Sequence, residues 1–506
     1  MNEYQLDNQR IFKNTILLYI RMILSTLISL YTSRVVLQAL GVTDFGIYNV
    51  VSGFVTMLAF VNGSLVAATR RYLTIALATD SEENQKLVFS SSFYLHLFVA
   101  LLITIFAVTF GYWFIENRMV IPSGQIQSAK AIFTYSLFPI IALCITVPHN
   151  AIVIAHEKMG AFASLSLIEV FLKLGVAILI AKMDNNRLVT YALLVNLIAV
   201  FVRLLYVLYS HCAFSTVSYR MPRSLSLIKK MVSFSGWNLY SAMSQSIYQQ
   251  GLNILLNIFY GPIVNAANAI AVQVQGLASM VATNFQQAIN PQITKTYATG
   301  DMGRLHSLVY KGTKFSYILV FCVTFPILIE TDYVLQLWLG EYPKYTSDFV
   351  RFALLLVLSD IITNPLTTAI LATGDISYYK LIEGTIRLII VGVVYIGLKL
   401  GLSPVGVYIV NLIIVILLYL IKYIIVSSKL RLNNLLYCKN VFLPITIFTL
   451  MSVLIFYFLF SMFNLSPILN IIIAVFSVII SILLFGLSKS EKEFIVQIIK
   501  TKINEK

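Results

Sequence analysis

The sequence predicts an all-α polytopic membrane protein. It should have about fourteen transmembrane helices, arranged as two pseudo-symmetric six-helix lobes with two more at the C-terminal end. Three observations carry this: the composition, the spacing of apolar runs, and an internal repeat. Of 506 residues, 59% are hydrophobic and only 11% charged. A soluble domain holds about 25% charged residues. A chain of this length cannot bury so much apolar surface in a water-soluble core, so most of it must face lipid.

A spanning helix needs about 20 mostly apolar residues to cross roughly 30 Å of hydrocarbon. Such runs are Asn14–Leu37, Phe45–Ala68, Val88–Ile115, Ile132–Ile154, Ala163–Ala181 and Val189–Ser210. After a basic stretch (Arg220, Arg223, Lys229, Lys230) come Gly236–Tyr260, Val264–Ala288, Phe315–Trp338, Phe349–Ala372, Tyr379–Leu398 and Val405–Val426. Val441–Phe463 and Pro467–Leu487 are the last two. An even number of spans places both termini on one side. The N-terminus, the even-numbered loops and the tail hold several times the Lys and Arg of the odd-numbered loops, which makes both termini cytoplasmic. Residues 489–506 read as a basic, amphipathic tail on the membrane surface.

The repeat is visible in three pairs. ITVPHNAIVIA (Ile145–Ala155) matches ITNPLTTAILA (Ile362–Ala372), SLIEVFLKL (Ser166–Leu174) matches KLIEGTIRL (Lys380–Leu388), and VNLIAV (Val195–Val200) matches VNLIIV (Val410–Val415). The pairs Pro148/Pro365, Glu169/Glu383 and Asn196/Asn411 keep one order at nearly one offset. That offset covers six spans, an even number, so the halves run parallel about an axis along the membrane normal, as in a two-lobed transporter. The lobes are residues 1–215 and 230–427, with two additional helices in 438–488 and the tail in 489–506.

Several function classes drop out. The net charge of +15 is spread over short loops rather than gathered in one patch, so nucleic acid is not the partner. Cys144, Cys212, Cys322 and Cys438 are far apart in sequence, which argues against a disulfide framework or a zinc site. The polar start Met1–Arg10 and the long run after it are unlike a cleavable signal peptide. There is no Walker loop, no H-E-x-x-H and no Ser/His/Asp cluster, so neither an enzyme nor a cofactor or metal is expected. No filter loop or charged ring marks a channel. His96 and His149, inside spans, read as buried, hydrogen-bonded histidines. Transport would be driven by an ion or substrate gradient.

Ionisable groups in a span cost about 2.5–3.5 kcal/mol on insertion scales, so each needs a role. Glu169 and Lys173 stand four apart on one helix face, and Glu383 and Arg387 repeat them. They are either structural ion pairs or a gating and coupling device. Arg21, two turns into the first span, either snorkels to the headgroups or meets substrate. Arg203 and Asp360 have no charged counterpart in the other lobe; Asp360, mid-span, is a candidate for proton coupling. Gln245, Gln249, Asn253 and Asn257 recur at steps of four in the seventh span. The eighth carries Asn268, Gln275, Ser279, Thr283, Gln286 and Asn290. These rows either bond helix to helix, at about 0.6–2 kcal/mol each, or wall a hydrated cavity able to bind sugars. The interior is slightly basic, which suits an anionic ligand such as a pyrophosphate better than a cationic drug.

SRVVLQALGVTDFGIYNVVSGFVTMLAFVNGSLVAATRRYL (Ser33–Leu73), INPQITKTYATGD (Ile289–Asp301) and LQLWLG (Leu335–Gly340) resemble the polysaccharide-transport, O-antigen flippase-like branch of the multidrug/oligosaccharidyl-lipid/polysaccharide exporter superfamily. The six-plus-six-plus-two plan extends the likeness over the whole chain. The resemblance implies two helical bundles facing each other in a V and working by alternating access. It implies an undecaprenyl-pyrophosphate-linked oligosaccharide as substrate, moved across a bacterial inner membrane for surface polysaccharide such as lipopolysaccharide O-antigen, with membrane lipids and possible polysaccharide polymerase machinery as partners. Basic side chains hold the pyrophosphate in related flippases, and Arg21 occupies a comparable place. Arg203, Gln245, Gln249, Asn253, Gln275 and Gln286 complete the candidate substrate set. Asp360, Glu169, Lys173, Glu383 and Arg387 form the coupling or gating set. A multidrug antiporter, a lipid II flippase and a non-transporting assembly protein are the alternatives.

Overall fold

A computed structural model describes residues 3–58, 81–156, 158–221, 226–462, 466–487 and 491, with a few positions between 65 and 77. Among them every regular element is a helix. The chain runs α1 (Glu3–Leu58), α2 (Glu82–Phe106, continued to Asn117), α3 (Ile126–Ala155), α4 (Met159–Ala181) and α5 (Arg187–Ala213). Next are α6 (Ser226–Tyr260), α7 (Pro262–Ala298), α8 (Met302–Ile329) and the short α9 (Thr331–Leu339). The rest are α10 (Thr346–Ile361), α11 (Asn364–Ala372), α12 (Ser377–Lys399), α13 (Pro404–Leu430), α14 (Leu443–Met462) and α15 (Pro467–Ser481).

Eleven stretches among the described residues are long and apolar enough to cross a membrane. One of these, Arg21–Leu58, holds two sequence spans, because α1 breaks at Gly41 (φ 77°, ψ 168°). That backbone region is open to glycine and almost nothing else. α6 and α7 also have the length of spans, but their amide and hydroxyl rows hold their hydropathy below that of the eleven. With these three the count agrees with about fourteen. The end of the second span (59–68) lies largely outside the described residues, as does the tail 489–506 save Glu491.

The ninth span is displaced from its sequence reading of Phe315–Trp338. α8 begins at Met302, where Asp301 caps it by accepting from the Arg304 N–H at 3.0 Å, and stops at Ile329. Pro326 and the non-helical Glu330 (φ −115°, ψ 43°) end it, and Thr331–Leu339 forms a separate short helix. The signal was present in the sequence, since Glu330, Thr331 and Asp332 interrupt the apolar run at the break.

The repeated helices agree in length. α4 and α12 have 23 residues each, and α5 and α13 have 27 each, about 40 Å of helix. The third pair differs: α3 is continuous over 30 residues with Pro139 and Pro148 inside it, while its counterpart breaks into α10 and α11. Pro365 then falls in the first turn of α11, where a missing N–H costs nothing.

Contacts divide the chain into two compact units, residues 1–269 with 380–404, and 270–379 with 405–506. These units follow packing, whereas the lobes drawn from sequence follow the repeat. In the first unit α4 packs along α1, and α5 along α3 and α4. Its core joins Phe89, Ile152, Val202, Tyr206 and Phe214. In the second, α8 packs against α10, α11 and α15. Outward faces are apolar: Leu450, Leu454, Tyr457 and Phe458 on α14 are 56–65% exposed. A water-soluble protein does not display such surface in continuous stripes; a multi-pass membrane protein needs it.

Candidate functional site

Two charged clusters and three sets of polar contacts hold most of the residues singled out in the sequence; Gln245, Gln249 and Gln275 stand outside them. In the first unit, α1, α4 and α5 bring Arg21, Glu169, Lys173 and Arg203 together. Ser166, Glu169 and Lys173 share one face of α4, being spaced three and four apart. Glu169 Oε1 is 2.6 Å from Lys173 Nζ, with the side chains 21% and 35% exposed. Arg21 reaches across from α1: its Nη1 donates to Ser166 Oγ at 3.4 Å, and its guanidinium carbon lies 5.0 Å from the centre of the Phe162 ring. Arg21 Nε is buried without a hydrogen-bond partner among the described residues. The Ser166 hydroxyl itself donates a hydrogen bond to the carbonyl of Ala163 at 2.9 Å. Arg203 and Glu169 join Arg21 in acting electrostatically on the Tyr206 hydroxyl, which donates to the Phe162 carbonyl at 3.4 Å. Among the described residues three cations and one carboxylate thus share one neighbourhood, and Arg21 Nε has no described hydrogen-bond partner there.

The second cluster lies on α12, in the same unit. Glu383, 6% exposed, meets Lys380 Nζ at 3.1 Å and Arg387 Nη2 at 3.3 Å. Arg387 also lies over the ring of Tyr248 on α6, 5.5 Å from its centre. The helices approach closely because residue 384 is glycine: a Cβ there would sit 2.5 Å from the Tyr240 ring and 2.8 Å from Ser244 Oγ. Tyr240 and Thr385 share a 2.8 Å hydrogen bond beside it.

The amide row of α6 is not one continuous wall. Gln249 is exposed and Gln245 half-buried. Asn253 and Asn257 are buried and knit α6 to the start of α7 across the Gly261 turn. Asn265 donates to Asn253 Oδ1 and to its carbonyl at 2.8 and 2.7 Å, and Asn268 donates to the same Oδ1 at 3.0 Å. Asn257 donates to Asn265 Oδ1 at 2.9 Å and accepts from Val120 N at 2.9 Å.

In the second unit, Gln286 is buried, donates to Ser316 Oγ at 3.3 Å, and accepts from Asn364 at 3.2 Å. Thr368 donates to Asn290 Oδ1 at 3.0 Å, so the polar row of α7 binds α8 and α11. Gln275 is half-buried. Asp360 accepts from the Tyr419 hydroxyl at 2.6 Å. One turn along α13, Lys422 is 3% exposed, its ammonium 5.4 Å and 5.7 Å from the ring centres of Tyr419 and Tyr379.

Sequence reasoning passed over Lys380, Tyr419 and Lys422. The signals were present: Lys380 opens the repeated segment three residues before Glu383, and Lys422 stands three residues after Tyr419 in the twelfth span. It also passed over Lys314, 7% exposed at its side chain, which pairs at 2.6 Å with Glu491 of the tail. His96 and His149 are buried and bonded: His96 to Thr69 at 3.1 Å, His149 Nδ1 to Ser210 at 2.7 Å. Among the described residues no three His, Cys, Asp or Glu side chains group as metal ligands.

The profile of the family described as "Polysaccharide biosynthesis protein" matches residues 11–297, more than half the chain. It takes in the Ser33–Leu73 stretch and both clusters' contributions from α1, α4, α5 and α6. No curated protein sequence matches. Among solved structures, the fold is similar to a multidrug resistance MATE family transporter of the MOP superfamily in an inward-facing conformation. That likeness has TM-score 0.67 and 16% identity, covering 83% of this chain and 98% of that one. The lipid II flippase MurJ, in an inward closed conformation, has TM-score 0.68 and 14% identity, covering 93% and 98%. A MOP superfamily transporter from Pyrococcus furiosus, described as having a binding pocket of reversed polarity, has TM-score 0.57 and 17% identity, covering 83% and 95%. The chain therefore belongs to the polysaccharide biosynthesis protein family and is a multi-pass membrane protein with the fold of MOP superfamily transporters.

Proposed function

We propose that this protein is a flippase that moves a lipid-linked oligosaccharide, carried on undecaprenyl pyrophosphate, across a bacterial inner membrane for surface polysaccharide synthesis. The lobes 1–215 and 230–427 alternate access, and both termini are cytoplasmic. The observation that carries the reading is the cluster of Arg21, Lys173 and Arg203 with Glu169 among apolar helices. A pyrophosphate must shed water to cross, and fixed cations offset that cost. Arginine is always charged and presents a planar fork of donors that matches phosphate oxygens. A pocket for cationic drugs would need the opposite sign. The exposed Gln249 and half-buried Gln245 and Gln275 are the amides left to meet sugars. Asn253 and Gln286 support this reading less, since their amides bond neighbouring helices. The Asp360–Tyr419 hydrogen bond, with Lys422 beside it, suits a proton-coupling role for Asp360.

Deletion of the gene tests the class. It should abolish the surface glycan and leave its undecaprenyl-linked precursor on the cytoplasmic face. Accumulated lipid II instead would favour the second reading, a lipid II flippase, which the 93% coverage by that fold also supports. At the residue level, Arg21→Ala should lower transport about 10–100-fold, the range for a lost hydrogen bond to a charged group. Arg21→Lys should keep part of the activity. Full activity in Arg21→Gln would mean that the residue only snorkels.

A further inference from the structure

Ser166 and Lys380 stand at matched positions of the repeat, each three residues before the repeated glutamate. They differ in chemistry, and the contacts explain how each turn still carries a cation. Ser166 receives one from another helix, because Arg21 donates to its hydroxyl at 3.4 Å. Lys380 supplies its own, 3.1 Å from Glu383. A second base follows one turn later in both repeats, Lys173 at 2.6 Å and Arg387 at 3.3 Å from the glutamate. An aromatic ring backs a guanidinium in each, Phe162 beneath Arg21 and Tyr248 beneath Arg387.

We infer that Lys380 is the second repeat's equivalent of Arg21, an anion-holding base for the phosphate groups of a lipid headgroup. The inference rests on the reading of Arg21 given above. Two bases on one carboxylate make the exchange feasible. If Glu383 had a single cation, an incoming phosphate would strip it and leave a buried charge unpaired, which is strongly unfavourable. With Arg387 retained, Lys380 can turn to a phosphate while Glu383 stays compensated. Glu169 with Lys173 leaves Arg21 in the same position. The Lys380, Glu383 and Arg387 side chains together carry one positive charge, the sign an anion needs.

The test uses the full chain in phosphatidylcholine nanodiscs, titrated with inorganic pyrophosphate and read as a shift in melting temperature. Lys380→Ser and Arg21→Ala should each weaken binding about tenfold or more. Arg21→Ala combined with Ser166→Lys should return to within about threefold of wild type, since it moves the base to the place where the second repeat already has it. A purely structural Arg21–Ser166 bond would not be rescued this way. Lys380→Arg should bind as wild type, and if Lys380→Ser does not fold, Lys380→Gln and the Ser166→Lys rescue carry the test. Wild-type binding in Lys380→Ser, with binding lost in Arg21→Ala, overturns the inference and leaves the Arg21 reading standing. Wild-type binding in Arg21→Ala removes that reading and this inference together. A parallel series with phosphatidylglycerol in the nanodiscs separates sources: a Lys380-dependent shift there, and none with pyrophosphate, supports the site and assigns its phosphate to bilayer lipid.

Discussion

Asn253 accepts amide bonds from both Asn265 and Asn268, so its side chain is a joint between α6 and α7. Asn253→Ala removes the Oδ1 acceptor shared by the buried Asn265 and the half-buried Asn268 and should cost about 1–3 kcal/mol, read as a lower melting temperature. Gln249→Ala, at an exposed position four residues earlier, should change stability by less than about 0.5 kcal/mol. Its effect, if the amide meets sugar, should fall on transport alone. A further residue has a pH signature. Asp332 lies between α8 and α10, where hydrogen bonds from Ser347 and Tyr342 and the Arg351 guanidinium hold its carboxyl below the ordinary 3.8. A lowered carboxylate adds stability that is complete above its unfolded value and fades as pH falls through its folded one. Hydrogen exchange of residues 331–351 should therefore be flat with pH, after correction for intrinsic rates, down to the ordinary value and accelerate below it. Asp332→Asn should abolish that acid-induced step.

At the scale of elements, glycines decide where helices bend and how closely they meet. Gly41 breaks α1 through a backbone conformation that side chains do not tolerate, although a Cβ there would meet nothing. Gly46 acts by space instead: its Cβ would lie 1.8 Å from the carbonyl oxygen of Pro262 at the start of α7. Gly46→Ala must push backbone from backbone and should cost about 1–3 kcal/mol or more. Gly41→Ala should cost a similar amount, about 1–3 kcal/mol, through strain alone. Thermal melting gives both costs, and cysteine cross-linking of α1 to α7 separates them: Gly46→Ala should slow the cross-link, while Gly41→Ala should leave contacts at Gly46 in place. The repeated glutamates make a related point about elements. Around Glu169 of α4 the bases come from α1, α4 and α5, whereas Glu383 takes both Lys380 and Arg387 from its own helix.

At the scale of the molecule, the charge asymmetry of the loops sets an orientation that reporter fusions can read. Fusions at Arg223 and Lys429 should report cytoplasmic, and fusions at Gly261 and Tyr342 periplasmic. An inverted pattern would remove the assignment of both termini to the cytoplasm. The sequence by itself determined the class and a count of about fourteen spans, and it carries the repeated segments. Lipid as solvent forces every span to be a long apolar helix, so periodicity and length are written directly in the residues. It also located Glu169–Lys173 and Glu383–Arg387, because i,i+4 partners on a helix need no tertiary information. Only the tertiary structure decided what the remaining polar residues do. Whether Asn253 walls a cavity or bonds Asn265, whether Arg21 meets Ser166, and that Asp360 has Tyr419 as donor all depend on which helices become neighbours. Among apolar helices that packing is fixed by the shapes of side chains and by glycines such as Gly46 and Gly384, and hydropathy carries no record of it.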